Sequence, residues 1–197
     1  TLAPELCDPA IVQLIQSQGI IVSAGHSNAT YGQALQAFSE GITTGTHLYN
    51  AMSALQHREP GLAGAIMDDD RVSCSIVPDG YHVSYPAIRI AKKVMGSRLF
   101  AITDAVTTTT SGFYQHVFEG DRYTANGILS GSALTMNKIV TDLVKHASIP
   151  LEEALRMCSL YPAKVLLHPG ITGTIAKDTP FYAAVLGDDM QVVQVID

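Results

Sequence analysis

Thr43 to Asn50 reads TTGTHLYN: a short β-prone run, a histidine at its end, then a polar turn. Ile20 to Asn28, IIVSAGHSN, repeats the pattern upstream, and Leu99 to Ala105, LFAITDA, repeats it downstream. The functional residues at the ends of these runs are His26, His47 and Asp104. In a parallel sheet with helical crossovers, ligands gather beyond the carboxyl ends of the strands. Ends that carry His, His and Asp therefore make a candidate metal and acid/base site.

Working outward, the segments between these ends read as crossovers. Asp8 is placed to cap a helix with Pro9 at its first position, and the helix stops at Gly19. Thr30 and Gln33 form a capping-box pair ahead of Ala34, Leu35, Ala37 and Phe38. Strands are expected at Ile20–Ala24, Ile42–Thr46, Val72–Val77 and Leu99–Thr103, and Ser84 is expected to cap a helix over Pro86–Met95. Residues 50 to 65 have no clean period and hold clustered glycine and proline, so they read as a long functional loop with room for a short helical turn. Asp68 to Arg71 reads as a polar turn. Thr1 to Glu5 reads as the tail of a strand.

Beyond Asp104, Gln115 to Leu129 is expected to hold a small hairpin turning at Asn126-Gly127. A helix starts at Ser132 or Thr135 and runs to about His146. Another opens at Pro150, and Pro162 separates it from a short helix ending near Leu167. Phe181–Leu186 and Gln191–Ile196 read as an antiparallel pair outside the βα body.

Bulk properties narrow the function. A chain of 197 residues, 47% apolar, suits one sizeable domain or a domain with an appendage. A net charge of −6 without a basic run argues against a nucleic-acid surface. Cys7, Cys74 and Cys158 are odd in number and widely spaced, so no disulfide framework or cysteine metal pair is indicated, and a reducing cytosol is the simplest compartment. No segment approaches about 18 uninterrupted apolar residues, and the opening TLAPE has neither a signal-peptide pattern nor a methionine, as expected of an internal starting point.

A lone histidine at a strand end is by default structural. Two at equivalent ends, His26 and His47, make the ligand reading competitive, and imidazole suits zinc and divalent iron. Asp104 is either a third ligand or a proton shuttle between water and a leaving group. Arg58 and His82 stand in loops of the same face, and an arginine fork suits a phosphate or carboxylate. His57-Arg58-Glu59 is alternatively an exposed polar turn. Asn50 is a substrate contact or a loop cap, and Met136 a core residue or a pocket wall. Gly131 and Ser132 precede a helix, where their N–H groups can face an anion.

GHSNA (25–29), THLYNAM (46–52), REPG (58–61), DGYHV (79–83), TDA (103–105) and LSGSALTM (129–136) occur together in that order. With these motifs the chain resembles the N-acetylglucosamine-6-phosphate deacetylase family of the amidohydrolase superfamily, from LAPE at 2–5 to YPA at 161–163. The resemblance implies an α/β fold: the carboxyl-terminal half of a TIM-like (β/α)8 metal-dependent hydrolase barrel. Residues 1–167 would supply about strands five to eight plus the end of strand four, and residues 168–197 strands of a small β-sandwich domain.

The same resemblance implies a cytoplasmic homodimer with one divalent ion per site, zinc or iron, acting on an amino sugar phosphate and removing its N-acetyl group. It puts His26 and His47 on the metal and Asp104 on the proton transfers. It puts Asn50 and the Ala51 backbone on the sugar phosphate, Arg58 on the phosphate of the neighbouring subunit, His82 on the substrate, and Met136 near the acetyl group. A related amidohydrolase acting on another acylamino sugar or a cyclic amide, or a non-catalytic paralogue, is the alternative. The loop VTTTTSG (106–112) departs from the family pattern, the segment from Phe113 to Leu129 is short, and the ending GTIAKDTPFYAAVLGDD also differs. The family's glutamate ligand and carbonyl-polarising histidine precede the matched region, and Glu5 is no substitute, so the chain alone is expected to have little or no activity.

Overall fold

The computed structural model describes residues 1–112, 115–166 and 170–196. The first helix, α1 (Pro9–Ser17), begins as its sequence dictates: the Asp8 carboxylate accepts the Ala10 N–H at 2.9 Å, with Pro9 in the first turn. The chain then enters β1 (Ser23–Ala24). Leu2 lies beside it, donating its N–H to Ser23 O and accepting from Gly25 N–H, both at 3.0 Å, so Leu2 continues the sheet beyond β1, whereas Pro4–Leu6 form a 3-10 turn and not the strand tail expected. Helix α2 (Tyr31–Ser39) has the full capping box: Gln33 N–H donates to Thr30 Oγ1 at 3.3 Å, and Thr30 N–H donates to Gln33 Oε1 at 2.9 Å.

Strand β2 (Thr44–Gly45) leads, through the site loop, to α3 (Gly61–Asp68). Residues 61 to 68 are a helix, not the loop expected, and Asp68 is its last residue, not part of a turn. The reason is burial on every side. Seven consecutive residues, Gly61 to Met67, are buried, which erases the amphipathic period that marks a surface helix. Its free N–H groups are met from outside: Gly61 N–H donates to Glu59 Oε1 at 3.1 Å and Leu62 N–H to Ser53 Oγ at 2.7 Å. Glu59 Oε1 also accepts Tyr31 N–H at 2.7 Å, so a single carboxylate caps α2 and α3 together. At the far end, the Arg98 guanidinium donates to the carbonyls of Ile66, Met67 and Val72 at 3.0, 2.9 and 2.7 Å.

Two glycines allow this helix to sit where it does. A Cβ on Gly45 would lie 2.7 Å from Ile66 Cδ1 and 2.8 Å from Cys74 Sγ, so α3 presses directly on β2. A Cβ on Gly64 would lie 2.3 Å from Pro60 Cβ and 2.8 Å from Leu55 Cδ1. Gly64→Ala should therefore lower stability by about 1–3 kcal/mol, the range for overpacking a tight interior. Urea unfolding of the purified chain checks this, and an unshifted midpoint would show that the Pro60 turn yields freely.

Strand β3 (Ser73–Ile76), helix α4 (Tyr85–Met95) and strand β4 (Leu99–Ala101) complete the series. Ser84 precedes α4 as expected but makes no side-chain cap bond. The four strands pair in the order β1-β2-β3-β4, all parallel, so every carboxyl end faces the same way. The ladders are shorter than the apolar runs. Ile20 and Ile21 lie before the ladder, 55% and 38% exposed, while Val22 is buried. The core gathers Leu62 and Ile66 of α3, Ile88 of α4, and Cys74, Ile76 and Leu99 of the sheet.

After β4 comes an antiparallel sheet of β5 (Val117–Phe118), β6 (Arg122–Ala125) and β7 (Ile128–Ser132). Asn126 and Gly127 turn it with φ of 54° and 76°, the left-handed pair that a two-residue hairpin requires. Gly131 and Ser132 thus belong to a strand and do not open a helix; Ser132 N–H is spent on Asp104 O, so the anion-facing reading of this pair is corrected. Helix α5 (Met136–Lys145) starts after Thr135. Helices α6 (Leu151–Cys158) and α7 (Leu160–Leu166) follow, and Pro162 falls inside the first turn of α7, where its missing N–H is harmless. Leu167 and His168 lie outside the described residues, as do Phe113 and Tyr114. The antiparallel pair β8 (Ala183–Leu186) and β9 (Val192–Ile196) forms as expected. No helix among the described residues is long and apolar enough to cross a membrane. Cys7, Cys74 and Cys158 are free, and burial pushes the Cys74 and Cys158 thiols up to about 12.

Candidate metal and acid–base site

The backbone leaves each functional strand end by the same device. His26, His47 and Asp104 have φ of 51°, 42° and 48°, in the left-handed region that non-glycine residues rarely occupy. Such conformations persist only when surrounding bonds impose them. Those bonds are visible. His47 N–H donates to Ser75 Oγ at 2.8 Å, and Leu48 N–H donates to Ser75 O at 2.7 Å. After His26, Ser27 N–H donates to Ala51 O at 3.0 Å. The Glu5 carboxylate accepts Ser27 Oγ–H at 2.6 Å and Asn28 N–H at 2.8 Å. Asp104 O accepts Ser132 N–H at 2.9 Å, and the Ser132 hydroxyl donates to Thr103 O.

These restraints bring the two imidazoles together. His26 Nε2 and His47 Nε2 are 2.9 Å apart, with ring planes at 67°. Two nitrogens bound to one zinc ion at 2.0–2.1 Å would stand roughly 3.3 Å apart at a tetrahedral angle, so the pair needs only a small opening to share a cation. His47 is 5% exposed, and its Nδ1 is buried without a hydrogen-bond partner among the described residues. Burial pushes its pKa down, against the lift from backbone hydrogen bonding and Asp104, so the ring keeps a lone pair for a cation. The donor set therefore fits a divalent metal. It does not close a sphere: among the described residues no group of three or more His, Cys, Asp and Glu is arranged to hold an ion. Asp104 is exposed and lies near enough to His47 to act on it as a charge.

The other expected residues stand in different settings. Asn50 N–H donates to His47 O at 2.9 Å and its Nδ2 to Leu48 O at 3.3 Å, so the residue also closes the turn after His47. Ala51, φ 47°, is exposed. Arg58 lies exposed in a turn closed by Gln56 N–H to Glu59 O at 3.2 Å, and it has no ion pair among the described residues. His82 sits in the loop after β3, held by Asp79. Met136 opens α5 at 39% exposure and is not core. The sequence reading missed the supporting residues Glu5, Ser75, Asp79 and Ser132; a signal existed only for Asp79, an acid three positions before a histidine in a loop.

A parallel βα sheet whose strand ends offer paired histidines and an aspartate is the arrangement of metal-dependent hydrolases of the barrel type. Residues 10–196 match the amidohydrolase family, and the chain belongs to it. It is 39% identical over 186 residues to the N-acetylglucosamine-6-phosphate deacetylase of Haemophilus influenzae, covering 89% of this chain and 49% of the relative. It is 31% identical over 192 residues to the N-acetylgalactosamine-6-phosphate deacetylase of Escherichia coli O157:H7, covering 93% and 51%. The crystal structure of the Pasteurella multocida N-acetylglucosamine-6-phosphate deacetylase superposes with a TM-score of 0.93 at 36% identity, over 99% of this chain and 54% of that one. The chain thus spans about half the length of these relatives, and its parallel sheet corresponds to part of a (β/α)8 barrel. Metal dependence is general in this superfamily.

Proposed function

We propose that the whole protein hydrolyses the N-acetyl group of an acylamino sugar 6-phosphate, N-acetylglucosamine 6-phosphate foremost, to the free amino sugar phosphate and acetate. The observation that carries the reading is the facing His26–His47 pair beside Asp104 at adjoining strand ends. His26 and His47 would hold one divalent ion, zinc or iron, whose chemistry is Lewis acidity at the reacting carbonyl. Asp104 takes the proton of the attacking water and returns it to the leaving nitrogen, so an amide and water become an amine and a carboxylic acid. Asn50 and Ala51 line the phosphate end, His82 and Met136 the sugar and acyl ends. Residues 1–167 act as the barrel portion and 168–197 as strands of a small β-domain. The whole protein works as a homodimer, and the described residues do not by themselves complete the metal's sphere. A cytoplasmic location accords with its free thiols.

Relatives with the galacto substrate in their names make the alternative sugar a real competitor. Acetate release by the whole protein from the two acetylated sugar phosphates decides between them. Release from neither would overturn the reading. Arg58 adds a sharper check. An exposed guanidinium with no carboxylate partner among the described residues can take a phosphate through its fork. Arg58→Ala should raise KM for the phosphorylated sugar roughly 10- to 100-fold, as for loss of a charged hydrogen bond, and much less for the unphosphorylated sugar. Equal effects on the two substrates would remove the phosphate role.

A further inference from the structure

The loop after β3 closes on a carboxylate. Asp79 is 8% exposed and accepts three hydrogen bonds: Tyr81 N–H at 2.9 Å and His82 N–H at 2.7 Å on Oδ1, and the His82 ring at 2.6 Å on Oδ2. Burial by itself would push this carboxyl up. The bonds from the His82 ring and backbone and from Tyr81 outweigh it and hold the group below the usual carboxylate range. An ionised carboxylate beside an imidazole nitrogen at 2.6 Å requires a proton between them, and that proton belongs to the nitrogen. His82 Nδ1 is therefore the N–H. In the neutral ring that is the single N–H, and Nε2 then carries the lone pair. No described residue hydrogen-bonds to Nε2, although the His82 side chain is only 8% exposed.

From this geometry we infer that Asp79 is a positioning residue that fixes His82 as its Nδ1–H tautomer and thereby presents Nε2 as the acceptor for a hydroxyl of the substrate sugar. The substrate is taken from the deacetylase reading; the tautomer stands on the geometry alone. The arrangement separates two tasks on one face of the site. Guanidinium and amide donors suit the phosphate, which has only acceptors to offer. A hydroxyl has a proton to give, and an acceptor of fixed direction selects for it. A ring free to exchange tautomers would spend part of its time offering the wrong polarity.

Asp79→Asn is the discriminating substitution. The amide oxygen keeps both backbone bonds, and the amide NH2 now points at His82 Nδ1. Two donors cannot face each other, so the ring proton moves to Nε2. The 15N spectrum of the labelled 197-residue chain reads this directly, with His82→Gln identifying the resonances. Wild type should show a protonated Nδ1 and a bare Nε2, and Asp79→Asn the reverse. In the whole protein, Asp79→Asn should raise KM for the sugar phosphate roughly 10- to 100-fold with little change in kcat, as for a lost ground-state hydrogen bond. Asp79→Glu, which keeps a carboxylate, should recover part of the loss. A wild-type ring protonated on Nε2, an unchanged tautomer in Asp79→Asn, or an unchanged KM would each overturn the inference. Absence of acetate release from wild type would refute the deacetylase reading instead, while the 15N spectra still decide the tautomer.

Discussion

With His26 and His47 both replaced by alanine, the whole protein should purify without a bound divalent ion and release no acetate above background. The two Nε2 atoms face each other at 2.9 Å, and the described residues add no third ligand that could retain a cation in their absence. Loss of both donors therefore removes half of a four-ligand sphere. His47→Ala alone should be nearly as severe. Burial holds that ring neutral and ready to bind, whereas His26 is exposed. Metal analysis of the purified variants, beside an acetate assay, is the measurement. Full metal occupancy in the double variant would mean that the ion sits elsewhere, and the site assignment would fall with it.

The second large effect is expected at Asp104. Asp104→Asn preserves the shape of the side chain and the backbone bond from Ser132 N–H to Asp104 O at 2.9 Å, because that bond does not involve the carboxyl. What it removes is the ability to take and return a proton. Turnover should fall by roughly 10²–10⁴-fold, the range for a positioned acid/base group, while the metal stays bound. Parallel measurement of kcat and metal content separates this result from a loss of the ion. Near-normal kcat would pass the proton role to another group. Loss of metal together with turnover would make Asp104 a ligand after all.

These positions were legible in the sequence because they obey a simple rule: an apolar β-prone run, then a polar residue where the strand must stop. His26, His47 and Asp104 stand on three successive instances of it, and the parallel sheet puts all three on one side. The helix caps at Asp8 and Thr30 were legible for a similar reason, since each is a local contact over two or three residues. Helix α3 was not. Its pattern is set by neighbours distant in sequence, Gly45, Leu55 and Ser53, and a helix buried all round has no period to read. The bracing by Glu5, Ser75 and Ser132 was hidden for the same cause: each acts across 22 to 29 positions of chain, beyond the reach of any local motif.

The left-handed turns at the strand ends also restrict how this centre can change. A residue forced to positive φ costs roughly 1–2 kcal/mol for most side chains, with asparagine and aspartate bearing it best. At positions 26, 47 and 104 the choice of donor is thus coupled to the choice of backbone. A redesign toward softer metals by introducing thiolates would have to overcome this conformational penalty before any gain in affinity. A β-branched replacement would meet it in its most severe form. Libraries aimed at new metals or new leaving groups should therefore vary the residues that face the strand ends and leave the three turns with the side chains they have.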